Sequence, residues 1–183
     1  MKNPRILAVV IVVLLIGVGA YWFLARKAQP SQVIDLVAEL PHAEKRPPGR
    51  ANEIVVTSVT IDGQTKRSIL APAPKRLIYK ITVPRDAWFE TSYALRPEAW
   101  SKATDGAQFR VGVSEGKTYD ELLRTVVDPR RGDKRWFTAR LDLSAYEGRA
   151  VSVILNTDPG PPRQGNADFD ETVWGEPRIY SQR

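Results

Sequence analysis

From Glu53 onward a single pattern repeats and limits what the chain can fold into: short segments with apolar residues at every second position, each closed by a turn signal. "EIVVTSVTID" runs into Asp62-Gly63, a hairpin dipeptide, and "TKRSILA" follows, which predicts two strands paired across a tight turn. "RLIYKITV" stops at Pro84 and "AWFETSYALR" at Pro97, while "AQFRVGVSEG" places Phe109, Val111 and Val113 on one face. "RWFTARLDLS" and "AVSVILNT" alternate again, and "TVWGEPRIY" supplies the last strand. "YDELLRTVVD" is ambiguous, because Leu122, Leu123, Val126 and Val127 fit a helical turn as well as a strand. Eight or nine short strands with turns roughly every ten residues predict an all-β antiparallel β-sandwich or jelly roll over residues 53–183. The chain shows neither an internal repeat nor a low-complexity tract.

The segment before that domain follows different rules. Residues 6–24, from Ile6 to Leu24, are 19 positions without a charge, just long enough to span a hydrocarbon core as a helix. Lys2 and Arg5 precede the run, Tyr21 and Trp22 lie where an interfacial aromatic belt would sit, and Arg26 and Lys27 close it. Residues 1–27 therefore read as a single-pass transmembrane anchor. A cleaved signal peptide is the competing reading, since Val18-Gly19-Ala20 satisfies the small-residue rule for cleavage. The two basic residues on each flank almost tie the orientation count; the short N-terminus favours an inner (cytoplasmic) membrane protein with its domain on the periplasmic, extracytoplasmic side. Residues 28–52 then predict a short amphipathic helix in "SQVIDLVAEL", with Ser31 as N-cap and Val33, Leu36, Val37 and Leu40 at helical spacing, and a Pro-rich linker after it.

Charge has to be divided in the same way. Four of the 27 Lys and Arg flank the apolar run, leaving 23 cations against 21 acids, so the rest of the chain carries only about +2. That argues against a nucleic-acid partner, which wants a basic face on the folded domain itself. A local cluster remains in "DPRRGDKRW", where Arg130, Arg131, Lys134 and Arg135 are either a solvated loop or a patch for lipid headgroups or an acidic partner. Without any cysteine the chain has no disulfide, no thiolate nucleophile and no cysteine-held zinc. Its one histidine, His42, lies in a charged, Pro-rich connector with no nucleophile motif nearby.

The order "TVPRDAWFETSYALRPEAW", "DGAQFRVGVSEG", "RWFTARLDLSAYEG" and "VWGEPRIY" resembles galactose-binding-like jelly-roll modules of membrane-anchored bacterial envelope proteins. The resemblance implies the sandwich more directly than any ligand, because its most specific parts correspond to strands and the corner between them. Where such modules often carry an aromatic after the aspartate of the last loop, this chain has Asp170 followed by Glu171.

"GNADFDETVWGEPRIY" is the most chemically suggestive stretch. Asn166, Asp168 and Asp170 alternate like the first half of a calcium loop, and a turn rich in solvated acids is the plainer alternative. Asn156 and Asp158 would complete a calcium site if the loops met; no other cofactor is indicated. Trp88, Trp136 and Trp174 fall in strand patterns and read as core, whereas Trp100 falls in a connection, free to stack on a sugar or to anchor a protein. No Gly-rich phosphate loop and no Ser, His and acid set is present, so the sequence does not point to an enzyme. Two functions follow as expectations. One is a non-catalytic structural or interaction subunit, docked to the lipid bilayer and to other membrane protein subunits. The other is an envelope-tethered carbohydrate-binding module that takes a glycan at Trp100 and the acidic loop; the candidate ligand- or partner-binding residues for the two are Trp100, Arg130, Arg131, Asp168 and Asp170.

Overall fold

The computed structural model describes residues 32–160 and 165–181. Within them the alternation becomes eleven strands: β1 (Gln32–Asp35), β2 (Glu44–Arg46), β3 (Val55–Ile61), β4 (Gln64–Leu70), β5 (Lys75–Thr82), β6 (Trp88–Leu95), β7 (Ala107–Ser114), β8 (Tyr119–Val127), β9 (Phe137–Asp142), β10 (Ala150–Pro159) and β11 (Thr172–Ser181). They form an antiparallel two-sheet sandwich. A six-stranded sheet runs β3-β4-β11-β6-β9 with β1 added to β11, and a five-stranded sheet runs β2-β5-β10-β7-β8. Among the described residues no helix is long and apolar enough to cross a membrane. The apolar run 6–24, with Ile6, Tyr21, Trp22 and Leu24, lies outside them.

Two expectations need correction. The strands number eleven, not eight or nine; nine do lie within 53–183, and β1 and β2 come from the segment read as helix and linker. The amphipathic helix is absent. Val33 and Ile34 pair with Tyr180 and Ile179 as strand, and Asp35 then ends it, its carboxylate accepting from the Val37 amide at 2.8 Å. The chain turns there, with the Glu39 amide bonded to the Asp35 carbonyl at 3.0 Å. That turn drops Leu36, Val37 and Leu40 into the core, so a turn produced the three-and-four spacing that a helix also gives. "YDELLRTVVD" resolves as strand β8, with a bulge opposite Val111 and Gly112 that absorbs its irregular apolar order.

Between the sheets lies an aromatic centre. Phe109 meets the Trp174 ring edge-on at 5.1 Å, and Tyr93 lies 5.2 Å from Phe109 and 6.2 Å from Trp174. Phe89, Leu77, Leu155, Val153 and Ile179 pack around them without exposure. Each such side chain contributes about 1.5–3 kcal/mol relative to leaving it in water. Trp174 thus sits in the core as expected. Trp88 and Trp136 are only half-buried: Trp88 stacks on Tyr180 at 5.5 Å beneath the Arg140 guanidinium, and Trp136 donates to the Gln64 carbonyl at 3.1 Å. A second small cluster of Val59, Ile61, Ala94 and Val173, with Trp100 and Trp136 packed against it, is also built on strands of the six-stranded sheet.

Candidate functional site

The residues singled out in the sequence occupy different surroundings. Trp100 is half-buried, packed against both apolar clusters, and its indole N–H is taken by the Leu95 carbonyl at 3.0 Å. Arg130 is tied down at both ends, its Nε donating to Asp128 Oδ1 of its own loop at 3.0 Å and its Nη2 to the Asp105 carbonyl before β7 at 2.8 Å. Arg131 is 80% exposed and 3.5 Å from Asp128, whose carboxyl Arg130 holds below the usual carboxylate range. His42 is exposed beside Glu39. Asn156 and Asp158 belong to β10, where they bond Arg76 and Arg110.

Asp170 turns inward, while Asn166 and Asp168 stay exposed and the Asn166 side chain caps the Asp168 amide at 2.9 Å. One oxygen of Asp170 accepts from the Thr104 hydroxyl at 2.7 Å; among the described residues the other, like Oδ1 of Asp105, is buried without a close hydrogen-bond partner. Burial, with Asp105 and Asp168 adding negative charge, pushes the Asp170 carboxyl up to about 7, against hydrogen bonding by Thr104 and the Gly160 backbone, which lowers it. Calcium takes six to eight oxygens, and among the described residues no group of three or more acidic or histidine side chains converges on one point.

A different surface brings polar groups, an aromatic ring and a cleft together: the outer face of the five-stranded sheet. Antiparallel register puts Arg46 opposite Arg76, Arg76 opposite Asn156, Asn156 opposite Arg110 and Arg110 opposite Arg124, one row across all five strands. The next outward row is the reverse in character, with half-buried Ile78 and Ile154 followed by Gly112. Tyr119, at the start of β8, lays its ring over Gly112. A Cβ there would stand only 2.5 Å from the ring carbons, so only glycine lets the ring rest on the strand. The phenol stays 45% exposed, which leaves its ring open to a ligand.

Hydrogen bonds hold the polar row in place. Arg76 Nε donates to Asn156 Oδ1 at 2.8 Å, and Arg110 donates from Nε and Nη2 to Asp158 Oδ2 at 2.8 and 2.7 Å. Arg124 forks onto Glu121 at 2.6 and 3.1 Å and keeps that carboxyl below its usual range. Burial against the strand raises the Tyr119 phenol, as does Glu121, opposed by Arg110, Arg76 and Arg124. Arg76, Arg110, Ser114, Tyr119, Ile154 and Asn156 line a cleft of about 370 Å³. A second cleft of about 350 Å³ lies on the other side of Arg76, between Arg46, Pro74 and Asp158. Either is large enough for a small-molecule ligand. A flat apolar ring beside planar hydrogen-bonding groups suits a polyol with one apolar face, which is what a sugar ring presents.

Sequence reasoning missed this site because its members are far apart in the chain. The available signal was the outward parity of Arg76 and Arg110 in strands whose alternate positions are apolar, together with Gly112 inside a strand, which often marks a close approach.

No family model matches the chain. An uncharacterised protein of Archaeoglobus fulgidus is 33% identical over 103 residues, which are 55% of this chain and 25% of that protein, so the chain spans about a quarter of that relative's length. Among solved structures, CBM51 from Clostridium perfringens GH95, in complex with methyl-galactose, superposes with a TM-score of 0.56 at 13% identity, over 81% of this chain and 99% of that one. The M60 catalytic domain with two CBM51 domains from Clostridium perfringens ZmpB gives a TM-score of 0.53 at 14% identity, over 85% of this chain and 15% of that one. The chain therefore has the galactose-binding-like β-sandwich fold that these carbohydrate-binding modules share.

Proposed function

We propose that the protein is a non-catalytic carbohydrate-binding module, held at a membrane by its N-terminal segment, that binds glycans on the outer face of its five-stranded sheet. The observation that carries this reading is the exposed Tyr119 ring laid on Gly112 beside the fixed Arg76–Asn156 and Arg110–Asp158 pairs. The likeness in fold to carbohydrate-binding modules supports the class of ligand by analogy. A docking subunit is favoured less, since the large exposed apolar residues Val33, Val55, Val56, Val126 and Phe169 are spread over β1, β3, β8 and the 165–171 loop.

Glycan-array binding by the native protein and Tyr119→Ala tests the site. Replacing a half-exposed ring leaves the fold intact, and loss of one stacking platform should weaken binding about tenfold or more. Array binding unaffected by the substitution would remove the site from this face. The tether, with the domain on the extracytoplasmic side, is tested by alkaline carbonate washing of membranes and protease treatment of intact cells. Release by carbonate refutes the anchor, and protection from protease refutes the orientation.

A further inference from the structure

The outward row of the five-stranded sheet is more basic than a neutral sugar requires. Its four guanidiniums span all five strands, about 19 Å at ordinary strand spacing. Three of them have a carboxylate: Arg46 has Glu44 at 2.5 Å, Arg110 has Asp158 at 2.7 Å, and Arg124 has Glu121 at 2.6 Å. Arg76 differs. Among the described residues it is bonded only to the neutral Asn156, through Nε, so its position is set while both terminal nitrogens keep their donors. It stands between the two clefts and lines both. Two outward positions further along β5 comes Lys80, also exposed, with Ile78 between them as an apolar step. Along the strand that separates the two cations by about 13 Å.

A guanidinium held by Nε and open at both terminal nitrogens presents the planar fork that a carboxylate fits with two parallel hydrogen bonds. From this geometry we infer that the glycan taken by this face is acidic: a uronic-acid sugar whose carboxylate pairs with Arg76 while its ring lies on Tyr119. The inference rests on the glycan-binding reading of the same face and goes further by naming the charged group. Lys80 then faces the carboxylate of a neighbouring sugar, so an oligomer binds better than a monomer.

The test compares one oligogalacturonate with its fully methyl-esterified form, which keeps the rings and removes the charge. Titration calorimetry of the full-length protein should show the acid form binding about tenfold tighter or better at low salt, the gain expected for one charge-assisted pair. Arg76→Gln should bring the two forms within about twofold, the acid form losing far more affinity than the ester, and raised salt should do the same in part. Tyr119→Ala should weaken both forms together. Equal affinity of the native protein for acid and ester overturns the acidic inference and leaves the glycan reading standing. Retention of the acid preference in Arg76→Gln overturns the assignment to Arg76, and tighter binding of a sulfated neutral oligomer overturns the carboxylate. Binding of neither form, with no retention on the neutral glycans of an array, overturns the glycan reading itself.

Discussion

Asp170 should make the sandwich lose stability as pH rises through neutrality, and the size of the loss can be worked out. Its carboxyl sits fully inside the fold, with one oxygen on Thr104, and its folded pKa of about 7 compares with an ordinary 3.8. Below about pH 4 the folded and unfolded forms both hold the proton. Between about 4 and 7 only the folded form does, so each pH unit removes about 1.4 kcal/mol, and above 7 both are ionised and the loss stops growing. The stability present at low pH is thus lost as pH rises through about 7, by about 4 kcal/mol over the whole window. Asp170→Asn keeps the shape and the acceptor for Thr104 but cannot ionise. Chemical denaturation of both proteins from pH 4 to pH 8, in a chelating buffer, should show the variant gaining on the native protein by about that amount. For a domain of this size the difference corresponds to a midpoint shift on the order of 10 °C. Parallel pH curves for the two proteins would refute the reasoning, since the buried carboxyl would then be ionised in both states throughout.

Two further perturbations test the packing that sets up the site. Gly112→Ala puts a methyl group where the Tyr119 ring lies, 2.5 Å from its carbons, and should push the ring off the sheet. Glycan binding should fall about as far as in Tyr119→Ala, with unfolding midpoints little changed; native-like binding would show that the ring is not the platform. Asp35→Ala removes the side-chain acceptor of the turn after β1 and should cost about 1 kcal/mol in denaturant titrations, and no measurable loss would mean that burial of Leu36 and Val37 alone sets the turn.

What the sequence determined by itself is the sandwich. Phe109, Val111 and Val113 alternate so that one strand face buries all three, Asp62-Gly63 signals a hairpin, and Trp174 lies in a strand pattern where a large ring fills the core. Period-two order is a local property of strands, so it can be read locally. The short entry segment misled for the complementary reason. Leu36, Val37 and Leu40 are spaced as in a helix, and only the strand partner Ile179 and the cap at Asp35 make them a turn inserted into the core.

The site was decided by tertiary structure. Arg46, Arg76, Asn156, Arg110 and Arg124 come from five separate segments, and each is unremarkable in its own. They form a row because antiparallel register places them opposite one another and because Gly112 admits the Tyr119 ring beside them. The same is true of Asp170. The loop sequence offered a solvated acid or a ligand, and it is burial next to Asp105 and Thr104, set by the packing of segments distant in the chain, that makes its charge costly. Alternation is written residue by residue, whereas register and burial depend on which strands meet, and that exists only once the two sheets have closed.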